Sequence, residues 1–278
     1  MSKTIVITGA TSGIGLEAAL QLAAEGHHLV LVGRNPQKLA QAAGQVGAAG
    51  AAGVDTFVAD FSSLNSVRAL ATELRARLDR IDVLVNNAGG VHDKRTLTVD
   101  GFEATFAVNH LAGFLLTELV KDRVVAAAPS RIVFTSSQGH YSGTMDFDDL
   151  GFEHGYTIMK AYGRSKLANV LYTRTLAAEL ADAGVTVNAL HPGAVATDIW
   201  SGAPWFARPV LAVAKRFMRS PADGGRTIAF LATDPSVEGR TGGYYDDNAL
   251  KEPSGLAQDD AVAARLREES GRLVGLDA

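Results

Sequence analysis

Near its start the chain reads Thr8-Gly9-Ala10-Thr11-Ser12-Gly13-Ile14-Gly15, and this stretch decides the fold. Before it stands Lys3-Thr4-Ile5-Val6-Ile7, apolar and β-branched, short enough for a buried strand. After it Leu16, Ala19, Leu20, Leu22 and Ala23 recur at helical spacing until Gly26. Glycine removes Cβ where backbone must come close to a ligand. A helix start offers unpaired N–H groups and a positive dipole end to a phosphate. The spacing of Gly9, Gly13 and Gly15 departs from the usual G-x-G-x-x-G pattern. On these residues alone, a tight turn without a ligand stays open.

Working outward, the same rhythm repeats. Strands are predicted at residues 28–33, 54–59, 82–85, 131–135 and 185–190, with a brief last one at 243–245. Helices are predicted from Pro36 to about Val46, from Ser62 or Ser63 through Leu78, and over residues 100–127, 159–183, 222–233 and 259–272. The glycine- and alanine-rich residues 47–53 read as a loop, and residues 138–159 and 198–221 as irregular stretches. Strands alternating with helices imply an α/β fold: a doubly wound parallel sheet of Rossmann type, helices on both faces, in a single domain spanning residues 1–278. Ligands in such a fold sit beyond the carboxyl ends of the strands. Those ends here are residues 9–15, Arg34, Asp60, Asn87-Ala88-Gly89, Ser137 and Pro192-Gly193, nearly all small, polar or charged.

Composition narrows the function. A chain of 278 residues with 47% hydrophobic residues can bury a large core. Its net charge of −4 gives no footing for a nucleic-acid partner. Having no cysteine, it has no disulfide, no thiol nucleophile and no Cys-ligated metal. The seven histidines show no metal-ligand spacing, so no metal is expected, and Asp146, Asp148 and Asp149 read as a solvated loop. The first strand begins at the N-terminus and no apolar run approaches a membrane span of about 20 residues. A cytoplasmic protein without a transmembrane segment is the expectation.

Tyr162 and Lys166 stand at i and i+4 on a predicted helix, so their side chains point the same way. An ammonium beside a phenol stabilises the phenolate and would lower its pKa, making Tyr162 a proton donor and acceptor. Alone, a solvent-facing pair is the plainer reading. The pair does not stand alone. Residues 8–15, Asn86-Asn87-Ala88-Gly89, Asn109, Ser137, Tyr162 with Lys166, and Pro192-Gly193 fall in the order and context of the short-chain dehydrogenase/reductase superfamily, which the chain resembles from about Thr4 to Thr197. Its retinol-dehydrogenase-like branch is the nearer likeness. That branch places an extra segment between the serine and the tyrosine, here 25 positions apart. The strings Asp60-Phe61-Ser62-Ser63-Leu64, Val108-Asn109-His110-Leu111 and YGRSKLAN at 162–169 are similar to it as well.

The resemblance implies NAD(P)-dependent interconversion of an alcohol and a carbonyl. It makes Tyr162 the general acid/base. Lys166 becomes its tuner and a nicotinamide-ribose ligand, and Ser137 (the second serine of its pair) the partner of the substrate oxygen. Asn109 would hold a proton-relaying water; its bland alternative is a helix-bending polar residue in the core. It also implies cofactor contacts from Gly9, Thr11, Ser12, Gly13, Ile14, Gly15, Asn35, Phe61, Asn87, Ala88 and Gly89. Asp60 would meet the adenine edge, or else only charge a helix start. Pro192, Gly193, Val195 and Thr197 would contact the nicotinamide end. Arg34 ends the second strand where NAD-selective enzymes place an acid. A guanidinium there suits a 2′-phosphate, so NADP(H) is expected to be preferred, with NAD(H) also accepted. A plain surface charge is the alternative. His140 either faces substrate or does not.

Residues 199–222 contain no acid but carry both tryptophans, Trp200 and Trp205, with Phe206, Phe217 and Met218. The family has a variable substrate lid here, taken as residues 198–221, which implies a bulky hydrophobic alcohol, aldehyde or ketone as substrate. Contact of the lid with an anionic membrane surface is a further reading. Pairing of two copies through helices 100–127 and 159–183 stays open. So do a non-catalytic NADP(H)-sensing regulator and a reductase of conjugated C=C bonds.

Overall fold

The computed structural model describes residues 2–193 and 220–276. Strands β1 (Thr4–Thr8), β2 (His28–Gly33), β3 (Gly53–Val58), β4 (Val83–Asn86), β5 (Ser130–Thr135), β6 (Val185–His191), β7 (Tyr244–Asp246) and β8 (Ala249–Lys251) form an eight-stranded sheet ordered β3-β2-β1-β4-β5-β6-β7-β8. Pairing is parallel up to β7, and β8 adds antiparallel to it.

Between the strands lie α1 (Gly13–Ala24), α2 (Pro36–Ala48), α3 (Leu64–Arg77), α4 (Ala104–Phe106), α5 (Ala112–Val125) and α6 (Ile158–Glu179). Helices α7 (Pro221–Thr233) and α8 (Asp260–Leu273) follow β6. Strand periodicity sorts the core onto two faces. Val6, Val30, Val32, Leu84, Ile132 and Phe134 point to the side of α3, α5, α6 and α8. Ile5, Ile7, Leu29, Leu31, Val83, Val85 and Val133 point to the side of α1, α2 and α7.

Chain order reverses between β1 and β4, which opens a crevice beyond their carboxyl ends. Helix starts are held by side chains: Asn35 caps α2, Ser63 α3, Thr157 α6, Ser220 α7 and Asp259 α8. The start of α1 has no such cap and no acid in its first turn.

Three expectations need correction. The run 47–53 is not all loop, since α2 extends through Ala48 and Gly53 opens β3. The long helix starts at Ala104, not near residue 100. Gly101 turns with φ +84°, Leu97 bridges Glu103, and the Glu103 carboxylate accepts the Thr105 and Phe106 amides, each at 2.8 Å. Between α4 and α5, residues Ala107–Leu111 make a π-helical turn. The strand at 244–246 is not the last, because Asp247 and Asn248, both with positive φ, turn the chain back into β8. The lid region lies outside the described residues, save Ser220 and the first residues of α7.

Candidate active site

The glycine turn is built by steric need. A Cβ on Gly15 would lie 2.4 Å from the Gly9 carbonyl oxygen, and one on Gly9 would lie 2.9 Å from Ala88 Cα. Gly9 and Gly13 adopt φ +69° and +57°, where an L side chain is strained. Thr11 packs its methyl over Gly33 at the end of β2. Next to it Arg34 is exposed, and its guanidinium makes no ion pair or hydrogen bond among the described residues. Ser12 precedes α1 without bonding its first-turn amides, so those N–H groups face the crevice unclaimed by any cap.

Thr8, which sequence reasoning left unassigned, stitches the crevice floor. Its hydroxyl donates to the Val85 carbonyl at 3.2 Å and accepts the amides of Asn87 and Ala88 at 2.9 and 3.0 Å. The Asn87 side chain is engaged in the same seam. Its Nδ2 donates to the Thr8 carbonyl at 3.0 Å, and its Oδ1 accepts from the Thr135 hydroxyl at 3.2 Å. Asn87 thereby fixes the ends of β1, β4 and β5 and leaves Ala88 and Gly89 to border the crevice. Gly89 has no room for a Cβ, which would sit 2.9 Å from Asn109 Oδ1.

Asn109 lies in the π-helical turn and its side-chain amide is engaged three times. Oδ1 accepts the Gly90 amide at 2.7 Å, and Nδ2 donates to the Gly90 carbonyl and the Ser165 hydroxyl, each at 3.0 Å. Its backbone carbonyl accepts from Asn169 Nδ2 at 3.0 Å. That carbonyl keeps a second lone pair, which a relaying water could use.

The chemistry-bearing side chains come together where β5 meets α6. The Tyr162 phenol and the Ser137 hydroxyl are hydrogen-bonded. Ser137 Oγ also accepts the Gly139 amide at 3.1 Å. A side chain on Gly139 would crowd the Tyr162 ring, its Cβ lying 3.1 Å from a ring carbon. Ser136 is a different residue in kind: it is buried and donates to the Lys166 carbonyl at 2.8 Å. Lys166 reaches under the tyrosine with Nζ 5.6 Å from the ring centre and donates to the Thr135 carbonyl at 3.0 Å. Asn169 donates to that same carbonyl at 3.2 Å.

The electrostatics differ from the sequence expectation. Burial raises the Tyr162 phenol above its ordinary value, and the Ser137 hydrogen bond opposes this only in part. The ammonium does not lower it; burial instead pushes Lys166 itself down to about 8.

Other candidate residues fall in more structural places. Asn35 Oδ1 accepts the Lys38 amide at 2.9 Å as the cap of α2. Asp60 Oδ1 accepts both the amide and hydroxyl of Ser62, at 2.9 and 2.8 Å, leaving Oδ2 toward solvent. Phe61 is buried in the core, so only its backbone can meet a ligand. Pro192 and Gly193 follow β6 at the rim, Gly193 with φ +87°; Val195 and Thr197 lie outside the described residues. His140 does not face the crevice: it is fully buried and bonds backbone on both sides. Arg164 pins the segment between Ser137 and Tyr162, donating to the Thr144 carbonyl at 3.0 Å and to the Asp149 carbonyl, over the face of Phe152. Among the described residues no cluster of acids and histidines is fit to hold a metal ion.

Residues 3–204 match the family model for short chain dehydrogenase. The chain belongs to the short-chain dehydrogenase/reductase family. Within that family it is 42% identical to retinol dehydrogenase 14 of Mus musculus, covering 99% of this chain and 86% of that one. It is 45% identical to a Streptomyces sp. (strain C5) protein provisionally named a daunorubicin C-13 ketoreductase, over 98% of this chain and 93% of the other. Similar solved structures include a provisionally named NAD(P)-dependent gluconate 5-dehydrogenase from Beutenbergia cavernae with NADP at low occupancy. Its TM-score is 0.72 at 30% identity, covering 88% of this chain and 94% of that one. An NAD+-bound xylitol dehydrogenase gives a TM-score of 0.70 at 26% identity, over 88% and 96%. The protein is thus an NAD(P)-binding oxidoreductase acting on alcohol or carbonyl groups, of the retinol-dehydrogenase-like branch. No helix among the described residues is long and apolar enough to cross a membrane.

Proposed function

We propose that the protein, one catalytic domain, uses NADP(H) to interconvert a bulky hydrophobic alcohol and its aldehyde or ketone, with Tyr162 as general acid/base. The observation that carries this reading is the hydrogen-bonded Ser137–Tyr162 pair backed by buried Lys166 at the crevice rim. The crevice suits a dinucleotide: glycine at 9 and 15 lets the turn pack closely on Asn87 and Ala88, and the α1 amides are left without a cap. Backbone of Gly9 and residues 11–15 would take the pyrophosphate, with Ala88, Gly89 and Lys166 on the riboses and Asp60 near the adenine. Arg34, exposed and without an ion pair among the described residues, suits a 2′-phosphate. When bound, the cofactor supplies or accepts the hydride.

The chain's own groups manage the oxygen and its proton. The Gly139 amide occupies one lone pair of Ser137, which orients the hydroxyl to donate to a substrate oxygen. The Tyr162 phenol gives its proton to a carbonyl oxygen in reduction and takes it back in oxidation. A phenol held above its ordinary value is protonated at neutral pH, the form that reduction requires.

The names of the relatives suggest two probes, all-trans-retinal and daunorubicin. Steady-state kinetics with each should show a several-fold preference for NADPH over NADH, reversed by Arg34→Asp. Tyr162→Phe should bind NADPH normally and turn over neither probe. A several-fold preference for NADH would refute the cofactor assignment. Normal turnover by Tyr162→Phe would refute the role given to the phenol.

A further inference from the structure

The turn that carries Ser137 is held from the far end of the chain. After Ser137, residues Gln138–Ser142 form one short 3₁₀ turn. The segment Glu252–Ser254, which follows β8, bonds back to it twice. The Tyr141 hydroxyl donates to the Glu252 carbonyl at 2.6 Å, and the Ser254 amide donates to His140 Nε2 at 3.1 Å. From β7, Asp246 accepts from Gln138 at 3.3 Å.

His140 is the centre of this junction. It is fully buried, packed at a tilt against Tyr141 and Tyr244 with ring centres 4.0 and 4.5 Å away. Its Nδ1 lies 2.7 Å from the carbonyl oxygen of Ser137. A carbonyl only accepts and an amide N–H only donates, so the two contacts demand one tautomer: Nδ1 protonated, Nε2 bare. The imidazole is therefore neutral, in keeping with burial that disfavours its charged form.

We infer that His140 is a positioning residue for Ser137, a neutral imidazole bridge that anchors the backbone of the serine turn to the segment after β8. This rests on the function proposed above. The serine hydroxyl must reach a substrate oxygen beside the Tyr162 phenol, and misplacement of such a group by about 1 Å costs roughly 100-fold. The bridge fixes the carbonyl of that same residue.

The test compares His140→Phe, which keeps a ring against Tyr141 and Tyr244 and loses both bonds, with His140→Asn, which keeps a donor in the Nδ1 position. Each is made in the wild-type and Ser137→Ala backgrounds, and all-trans-retinal is the substrate. We expect His140→Phe to lower kcat roughly 10- to 100-fold with the NADPH Kd within about twofold. His140→Asn should recover part of the loss. With Ser137 absent there is nothing left to position, so His140→Phe in that background should cost under about twofold. Equal losses in both backgrounds, or no loss in the wild type, would overturn the inference. A wild type that reduces no hydrophobic carbonyl would strike the proposed function instead. Exchange of the Ser254 amide then still decides the bridge: faster exchange in His140→Phe supports it, unchanged exchange overturns it.

Discussion

Asn109 and Gly90 hold each other twice. The side-chain oxygen takes the Gly90 amide at 2.7 Å while the side-chain nitrogen gives to the Gly90 carbonyl at 3.0 Å. This reciprocal pair fastens the end of β4 to the π-helical turn, and the third bond, to Ser165, fastens both to α6 between Tyr162 and Lys166. Replacing Asn109 by Asp keeps the acceptor but sets a carboxylate against the half-buried Gly90 carbonyl and leaves that carbonyl without its donor. The expected cost is about 1–3 kcal/mol of stability, read by urea denaturation, and at least a tenfold loss of NADPH affinity. Full affinity in Asn109→Asp would show that the pair does not shape the crevice.

Lys166 sets the alkaline limit. Its ammonium is buried, has the Thr135 carbonyl as partner, and loses its proton at about 8 rather than 10.5. The phenol it backs is shifted the other way, so the lysine is the first of the two to titrate as pH rises. The kcat/KM for reduction, which reports the free enzyme, should therefore fall above pH 8 by roughly tenfold per unit. Linkage gives a second readout. Between pH 8 and 10.5 the unfolded chain holds more protons at this site than the folded one, so stability rises with pH across that window and the burial cost is fully present below it. Measured against Lys166→Met, the wild type should gain up to about 3 kcal/mol over the window. A flat difference between the two would dispose of the shift.

What the sequence made legible follows from local physics. β2 lies where the apolar run placed it, at His28–Gly33, and Ser63 caps α3 as one of two named candidates. The β7–β8 hairpin carries a readable signal in Asp247-Asn248, residue types that tolerate the positive φ a tight turn demands. The π-helical turn was not legible, because it is fixed by Asn109 reaching Gly90 and Ser165 from another part of the chain. The same holds for His140, whose partner Ser254 is 114 positions away. Periodicity reports burial of a face and says nothing of which distant amide a buried imidazole meets. The direction of the Tyr162 shift is hidden for a related reason: i, i+4 spacing shows that a lysine is near, but not the depth of burial that raises the phenol.

The glycine turn gives a steric prediction. A methyl group on Gly15 would stand 2.4 Å from the Gly9 carbonyl and 2.5 Å from Asn87 Nδ2, and backbone on one side cannot swing away. Gly15→Ala should therefore push the turn off β1, break the Asn87 seam and lower stability by about 1–3 kcal/mol. Gly44 has open space around its Cβ position on α2, so Gly44→Ala is the matched control. It should leave NADPH binding unchanged and raise stability by up to about 1 kcal/mol. Titration of both variants with NADPH, followed by fluorescence, checks the contrast, and equal affinities would contradict it.

On the acid side the sensitive group is His110. It sits in the core among Phe106, Phe114 and Tyr172, between Asn169 Oδ1 at 3.2 Å and Ser270 Oγ at 2.9 Å, so it joins the π-helical turn to α6 and α8. Burial pushes it down to about 4 from 6.5, outweighing the Asn169 bond that favours the charged form. From pH 6.5 down to 4 the unfolded chain takes up a proton that the folded chain refuses, so stability is complete above 6.5 and falls as pH drops through that window. The loss should reach about 3 kcal/mol by pH 4. His110→Gln cannot titrate, so whatever its stability at pH 8, its acid limb should be flatter than that of the wild type by that amount. Urea denaturation of both proteins from pH 4 to pH 8 measures it. Parallel acid limbs would mean that this imidazole is not what makes the fold sensitive to acid.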